Sequence, residues 1–118
     1  MLLTPGDVVR VWDRQVRPPK QKRLICIAPD RQLFLRINSD PKFAPNHLLL
    51  AAESDFLDHD SYVELRQLIR PYAYEIQQAE KLGRLTRRQA VALVAAVNEA
   101  RTLQQDHKDL VAARLTPI

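Results

Sequence analysis

Gly6-Asp7-Val8-Val9-Arg10-Val11-Trp12 runs directly into Asp13-Arg14-Gln15-Val16-Arg17-Pro18-Pro19-Lys20-Gln21-Lys22-Arg23. The first stretch mixes Val, Arg and Trp in near alternation, as a strand with one buried face does, and Gly6 marks the turn into it. The second is cationic and carries two prolines that forbid regular pairing, so it reads as a loop. An early strand feeding a basic loop points to a small β-domain that meets a polyanion.

Working outward, Arg23 to Ala28 reads as a second strand closed by the turn signal Pro29-Asp30. Gln32 to Asn38 alternates again, with Leu33, Leu35 and Ile37 on one face and Phe34 and Arg36 on the other, so these two segments read as a hairpin. Asn38-Ser39-Asp40-Pro41 ends that strand, and Pro45-Asn46 extends the irregular stretch before the apolar run His47 to Ala52. Ser54 to Leu57 fits one helical turn, and Ser61 to Arg70 and Tyr74 to Gln78 are strand candidates on either side of Pro71. Thr86 with Gln89 three residues on makes a capping box, and Ala90, Leu93, Val94, Val97 and Ala100 share a helical face. The tail from Asp106 to Leu115 extends that helix or forms another, with Pro117 ending it. Five or six short strands, one short helical insertion and a C-terminal amphipathic helix over about 86–115 predict a mainly β fold. A small, strongly curved barrel with an appended helix accounts for that order better than a parallel sheet, which needs crossover helices.

The 118 residues, 46% of them hydrophobic, suffice for one domain spanning 1–118 with its own core. A formal net charge of +4 favours an anionic partner. Basic residues crowd the first third, and acidic ones, from Asp40 to Glu64, dominate the middle, which predicts an electrically two-sided molecule. The lone Cys26 excludes an internal disulfide and, among Leu24, Ile25 and Ile27, reads as a small hydrophobe. With neither a signal-like start nor eighteen successive apolar residues, the expected setting is the cytoplasm, away from membrane.

Two glycines cannot build a Gly-rich phosphate loop, and one cysteine cannot pair for zinc, so neither nucleotide-dependent chemistry nor a cofactor is expected. His47, Asp58, His59 and Asp60 match no standard metal spacing, and Asp58-His59-Asp60 reads as a backbone cap or turn. Ser39, Ser54 and Ser61 lack the flanking glycines of a nucleophile elbow. What remains is the basic set Arg17, Lys20, Lys22 and Arg23, which faces Asn38 and Ser39 if the second and third strands pair. A guanidinium holds two phosphate oxygens at once, and a hydroxyl beside it donates to the same oxyanion. Such a set suits RNA backbone and, well placed, the pentacoordinate phosphate formed when a 2′-OH attacks its own phosphodiester. A solvated loop with a turn-capping serine fits the same residues.

The Gly6-Asp7-Val8-Val9 opening, Arg23-Leu24-Ile25-Cys26-Ile27, Leu35-Arg36-Ile37-Asn38-Ser39, and Leu82-Gly83-Arg84-Leu85-Thr86 ahead of a final helix together resemble the MazF/PemK-like toxins of type II toxin-antitoxin systems. The resemblance spans most of residues 6 to 104 and departs at Gln21-Lys22-Arg23-Leu24, where typical members place a proline after the arginine. It implies an SH3-like barrel with a C-terminal helix, a homodimer, and a metal-independent endoribonuclease that cuts single-stranded RNA and is neutralised by a cognate antitoxin. By position, Arg23 and Ser39 match the residues tied to cleavage. Arg14, Arg17, Lys20, Lys22 and Asn38 would guide RNA, with the loop from Asp13 to Lys22 ordering on it. The same resemblance admits two other readings: a non-catalytic toxin that binds a protein such as gyrase through its C-terminal helix, or an interaction module without toxic activity.

Overall fold

The structure, a computed structural model, describes residues 2–41 and 44–118. Within them the chain forms β1 (Asp7–Asp13), β2 (Lys20–Ala28), β3 (Leu33–Asn38), β4 (Asn46–Leu49), β5 (Ser61–Glu64), α1 (Ala73–Gln77), β6 (Glu80–Arg84), α2 (Arg87–Glu99) and α3 (Gln105–Leu115), with short 3-10 turns at Pro29–Arg31 and Ala51–Glu53. The strands make one antiparallel sheet in the order β4-β5-β3-β2-β1-β6. The fold is therefore mainly antiparallel β with C-terminal helices. The sheet is open, because its outer strands β4 and β6 do not pair with each other to close the expected barrel.

Alternation along the strands divides their side chains between two cores. Val8, Ile25, Leu35, Ile37 and Val63 pack with Leu93, Val97, Val111 and Leu115 of the helices. On the other face Val9, Val11, Leu24, Cys26 and Phe34 pack with Leu3, Ile69 and Ala79. Both faces of β2 and β3 are covered, which is why residues 24–28 form an unbroken apolar run and β3 is buried along its whole length. Each fully buried Leu, Ile or Phe contributes roughly 1.5–3 kcal/mol. Cys26 behaves as the expected small hydrophobe: it is fully buried, and burial pushes its thiol up to about 12.

Bulges between Val8 and Val9 and between Cys26 and Ala28 bend the central strands. Gly6 has φ +91°, and a Cβ there would stand 2.5 Å from the Ile118 side chain, so this turn needs glycine. The capping box of α2 forms as expected: the Gln89 amide donates to Thr86 Oγ1 at 3.1 Å and the Thr86 amide to Gln89 Oε1 at 3.0 Å.

Several local expectations are corrected. β2 begins at Lys20, because Lys20 and Lys22 pair with Asp13 and Val11; only the stretch around Pro18-Pro19 stays outside the sheet. Ser54 to Leu57 is a turn closed by Leu57 N–H donating to Ser54 C=O at 3.1 Å, with the 3-10 turn just before it. The strand expected over Ser61 to Arg70 stops at Glu64, after which only Ile69 bridges to Phe34. Tyr74 to Gln78 is helical through Gln77, not extended. The C-terminal helix expected over about 86–115 is divided, the tail forming a second helix, the other reading of that segment: Ala100 turns extended at φ −72° and ψ 122°, and Thr102 Oγ1 donates to the Leu65 carbonyl at 3.0 Å.

Candidate functional site: a cationic groove at the ends of β2 and β3

The β2–β3 register sets Arg23 against Ile37, which brings Lys22 beside Asn38 and carries Lys20 and Ser39 to the same end of the sheet. Lys22 Nζ donates to Asn38 Oδ1 at 2.8 Å, and Asn38 Nδ2 donates to Glu64 Oε1 at 3.2 Å. Below them Arg36, 6% exposed, donates from Nε to Asp13 Oδ2 at 2.7 Å and from Nη2 to Gln15 Oε1 at 3.1 Å, and its Nη1 stands 3.8 Å from Glu64 Oε2. Arg36 is thus neutralised from both sides and holds the floor in place.

Two cavities lie at this end of the sheet, the first over this floor and the second on the opposite face, where alternation places Arg23 beside Ile37. One, of about 330 Å³, is lined by Arg17, Lys20, Lys22, Asn38 and Ser39 together with Gln15, Arg36, Asp40, Glu64 and Arg66. The other, of about 160 Å³, is lined by Lys20, Lys22, Arg23, Asn38, Ser39, His59 and Ser61. Lys20, Lys22, Asn38 and Ser39 border both, so the groove they mark runs around the end of the sheet from one face to the other. Burial, then the neighbouring Lys20 and Arg36 charges, lower the Lys22 ammonium below its usual range, so an anion laid in the groove would relieve that crowding.

The sequence-predicted residues fall out as follows. Arg23 and Ser39 line the same cavity. Arg23 donates from Nη2 to Asp58 Oδ2 at 3.0 Å, while its buried Nε has no hydrogen-bond partner among the described residues. Asp58 is 83% exposed, and an ion pair with so exposed a member is worth only about 0–1 kcal/mol, so a phosphate can replace it. Arg17, Lys20, Lys22 and Asn38 line the groove, whereas Arg14 lies outside it, its guanidinium 5.7 Å from the Tyr74 ring centroid.

Sequence reasoning missed Arg36, whose alternating position hid its role as a neutralised support, and His59 and Ser61, which share the Arg23 cavity. Their signal was the Asp58-His59-Asp60-Ser61 run itself. It turns the backbone as expected, with Asp60 Oδ1 accepting from the Ala51 amide at 2.9 Å and Ser61 Oγ donating to the His59 carbonyl at 2.9 Å, but in doing so it delivers an imidazole to the groove. Among the described residues no three His, Cys, Asp or Glu side chains are grouped to hold a metal ion, and no helix is long and apolar enough to cross a membrane. No protein-family model matches the chain, and no curated protein does.

Proposed function

We propose that this protein is an endoribonuclease that cuts single-stranded RNA in the groove, acting as the toxin of a type II toxin-antitoxin pair with an SH3-like sheet as its scaffold. The observation that carries this reading is that Arg23 and Ser39, far apart in sequence, line one cavity together with Lys20 and Lys22, while Arg17 lines the neighbouring cavity that shares those lysines. Lys20, Lys22 and Arg17 hold the phosphates on either side of the scissile one, and Arg23 exchanges Asp58 for a phosphate oxygen.

The reaction is transesterification within the RNA. The 2′-oxygen forms a bond to phosphorus and loses its proton; the bond from phosphorus to the 5′-oxygen breaks, and that oxygen takes a proton. Charge builds on the non-bridging oxygens, where the Arg23 guanidinium and Ser39 hydroxyl donate. His59 lines the same cavity, and an imidazole there can take the 2′-hydroxyl proton and return it to the leaving oxygen. The nucleophile belongs to the substrate, and the scheme assigns no step to a metal ion. The homodimer and the antitoxin implied by the family resemblance have a candidate surface at the edge strand β4 and α2, where exposed Leu48 and Leu50 and the adjacent Ala92 border a cavity of about 200 Å³.

The test is incubation of a long single-stranded RNA in EDTA with the wild type, Arg23→Ala, Ser39→Ala and His59→Ala, followed by mapping of the cut ends. Wild-type products should carry 2′,3′-cyclic phosphate. Loss of one transition-state donor should slow cleavage about 10²–10³-fold for Arg23→Ala, with the unfolding midpoint nearly unchanged. His59→Ala should slow cleavage about 10²–10⁴-fold, as loss of a positioned proton carrier does. A fully active Arg23→Ala removes Arg23 from the cleavage site, whereas RNA left intact by the wild type overturns the ribonuclease and favours a toxin that acts by binding a protein.

A further inference from the structure

Trp12, Tyr72 and Tyr74 leave 44%, 54% and 47% of their surface exposed, while Phe34 and Phe56 are buried in the cores. Isolated exposed aromatics are ordinary, but these three are gathered. The rings of Tyr72 and Tyr74 stack with centroids 5.7 Å apart and planes 10° from parallel, and the Arg14 guanidinium lies over Tyr74. Trp12, Arg14 and Tyr74 share the walls of a cavity of about 300 Å³ with Gln21 and Gln78.

The cavity exists because β6 pairs with β1 only as far as Arg10, leaving Val11 to Asp13 with α1 beside them in place of a strand. Of its charged members other than Arg14, Arg10 is paired with Glu80 and Glu75 is buried. What the cavity offers a ligand is therefore flat π-faces, a guanidinium plane and side-chain amides. Gln21 also borders the Arg23–Ser39 cavity, and it stands opposite Trp12 in the β1–β2 register. Arg23 lies two residues further along β2, about 7 Å away.

We propose that this cavity is a base-binding subsite, in which an unpaired base of an RNA strand stacks against Trp12 and Tyr74 while a neighbouring phosphate lies on Arg23. Aromatic faces beside arginine and a cationic backbone track are what single strands bind, since every base has a π-face. This inference rests on the RNA reading above and extends it by giving the strand a direction away from the groove, across Gln21. It also gives Arg14 a role outside the phosphate track.

Trp12 is the single tryptophan, so its fluorescence reports this cavity alone. The wild-type protein would be titrated with a 2′-O-methyl RNA oligonucleotide, which lacks the nucleophilic hydroxyl, and separately with inorganic polyphosphate of equal charge. The oligonucleotide should quench Trp12 and the polyphosphate should not. Tyr74→Ala, at an exposed position that leaves both cores intact, should weaken oligonucleotide binding about 5- to 100-fold with polyphosphate binding unchanged. Equal quenching by both ligands, or an oligonucleotide that binds Tyr74→Ala as tightly as wild type, overturns the subsite. Quenching with the Tyr74 effect, by a wild type that leaves unmodified RNA uncut, upholds the subsite and sinks the ribonuclease. Cleavage of RNA with neither effect does the reverse.

Discussion

Arg36 shows how a single buried charge organises the groove without facing solvent as a free cation. Its side chain is 8% exposed, and those of Asp13 and Glu64 are 5% and 3% exposed, so all three are cut off from most of the water that would otherwise solvate them. Removing one member of such a set leaves the others uncompensated, which costs about 3–5 kcal/mol. Arg36→Leu should therefore lower unfolding free energy by that amount in urea titration, a large part of the about 5–15 kcal/mol a domain holds. A loss below about 1 kcal/mol, the range of exposed pairs, would mean that Asp13 and Glu64 find solvent or protons when Arg36 leaves. The sequence presented Arg36 as one of eight clustered basic residues and Glu64 as part of an acidic middle. Their meeting is a product of the β3–β5 pairing, and it means that charges segregated along the chain are partly neutralised in space, by Arg36 with Glu64 and by Arg23 with Asp58.

At the scale of elements, what could be read from the sequence was what carried its own period or cap. β1 and β3 alternate, and α2 opens on Thr86 and Gln89 with an apolar face. α1 and β6 carry neither. Tyr74 to Gln78 holds an aromatic and a β-branched residue after Pro71, a composition that suits a strand, yet Ala73–Gln77 is helical, with Ile76 packed on the second core. Glu80–Arg84 has no apolar alternation; it is a strand because β1 offers an edge and because Lys81 and Arg84 meet the buried Asp7 at 3.4 and 2.7 Å. The groove was half legible for the same reason: the β2–β3 hairpin that joins Arg23 to Ser39 is local, whereas His59 and Ser61 reach it through the non-local β3–β5 pairing. On the edge strand β4, His47 is half-buried, and burial lowers its imidazole below the usual 6.5. As pH falls through 6.5 the unfolded chain takes up this proton more readily than the folded one, so stability falls with it until the folded pKa has also been passed. His47→Gln should flatten that descent: between pH 7.5 and 5.5 the wild-type urea midpoint should drop further than that of the variant. Equal drops would show that His47 is as well solvated folded as unfolded.

At the scale of the whole molecule, a net charge of +4 says little until one asks which cations are available to a polyanion. Arg36 is bound between carboxylates, Arg84 is held by Asp7, Arg10 by Glu80 and Arg114 by Asp30, so these cations are engaged within the fold. The groove instead gathers Arg17, Lys20 and Lys22, with Arg23 joining once Asp58 is displaced. Each phosphate neutralised on a single strand changes the slope of log K against log salt by about −0.7, so four such contacts predict a slope of about −3. Lys20→Ala should weaken binding of an uncleavable RNA oligonucleotide and make that slope shallower by about 0.7. Tyr74→Ala should weaken it with the slope unchanged, because stacking releases no counterions. The pair of variants thus separates the phosphate track from the base subsite in one salt series. A slope near zero in the wild type would remove the groove from RNA binding altogether, whereas a slope near −3 that Lys20→Ala leaves untouched would move the track elsewhere on the surface.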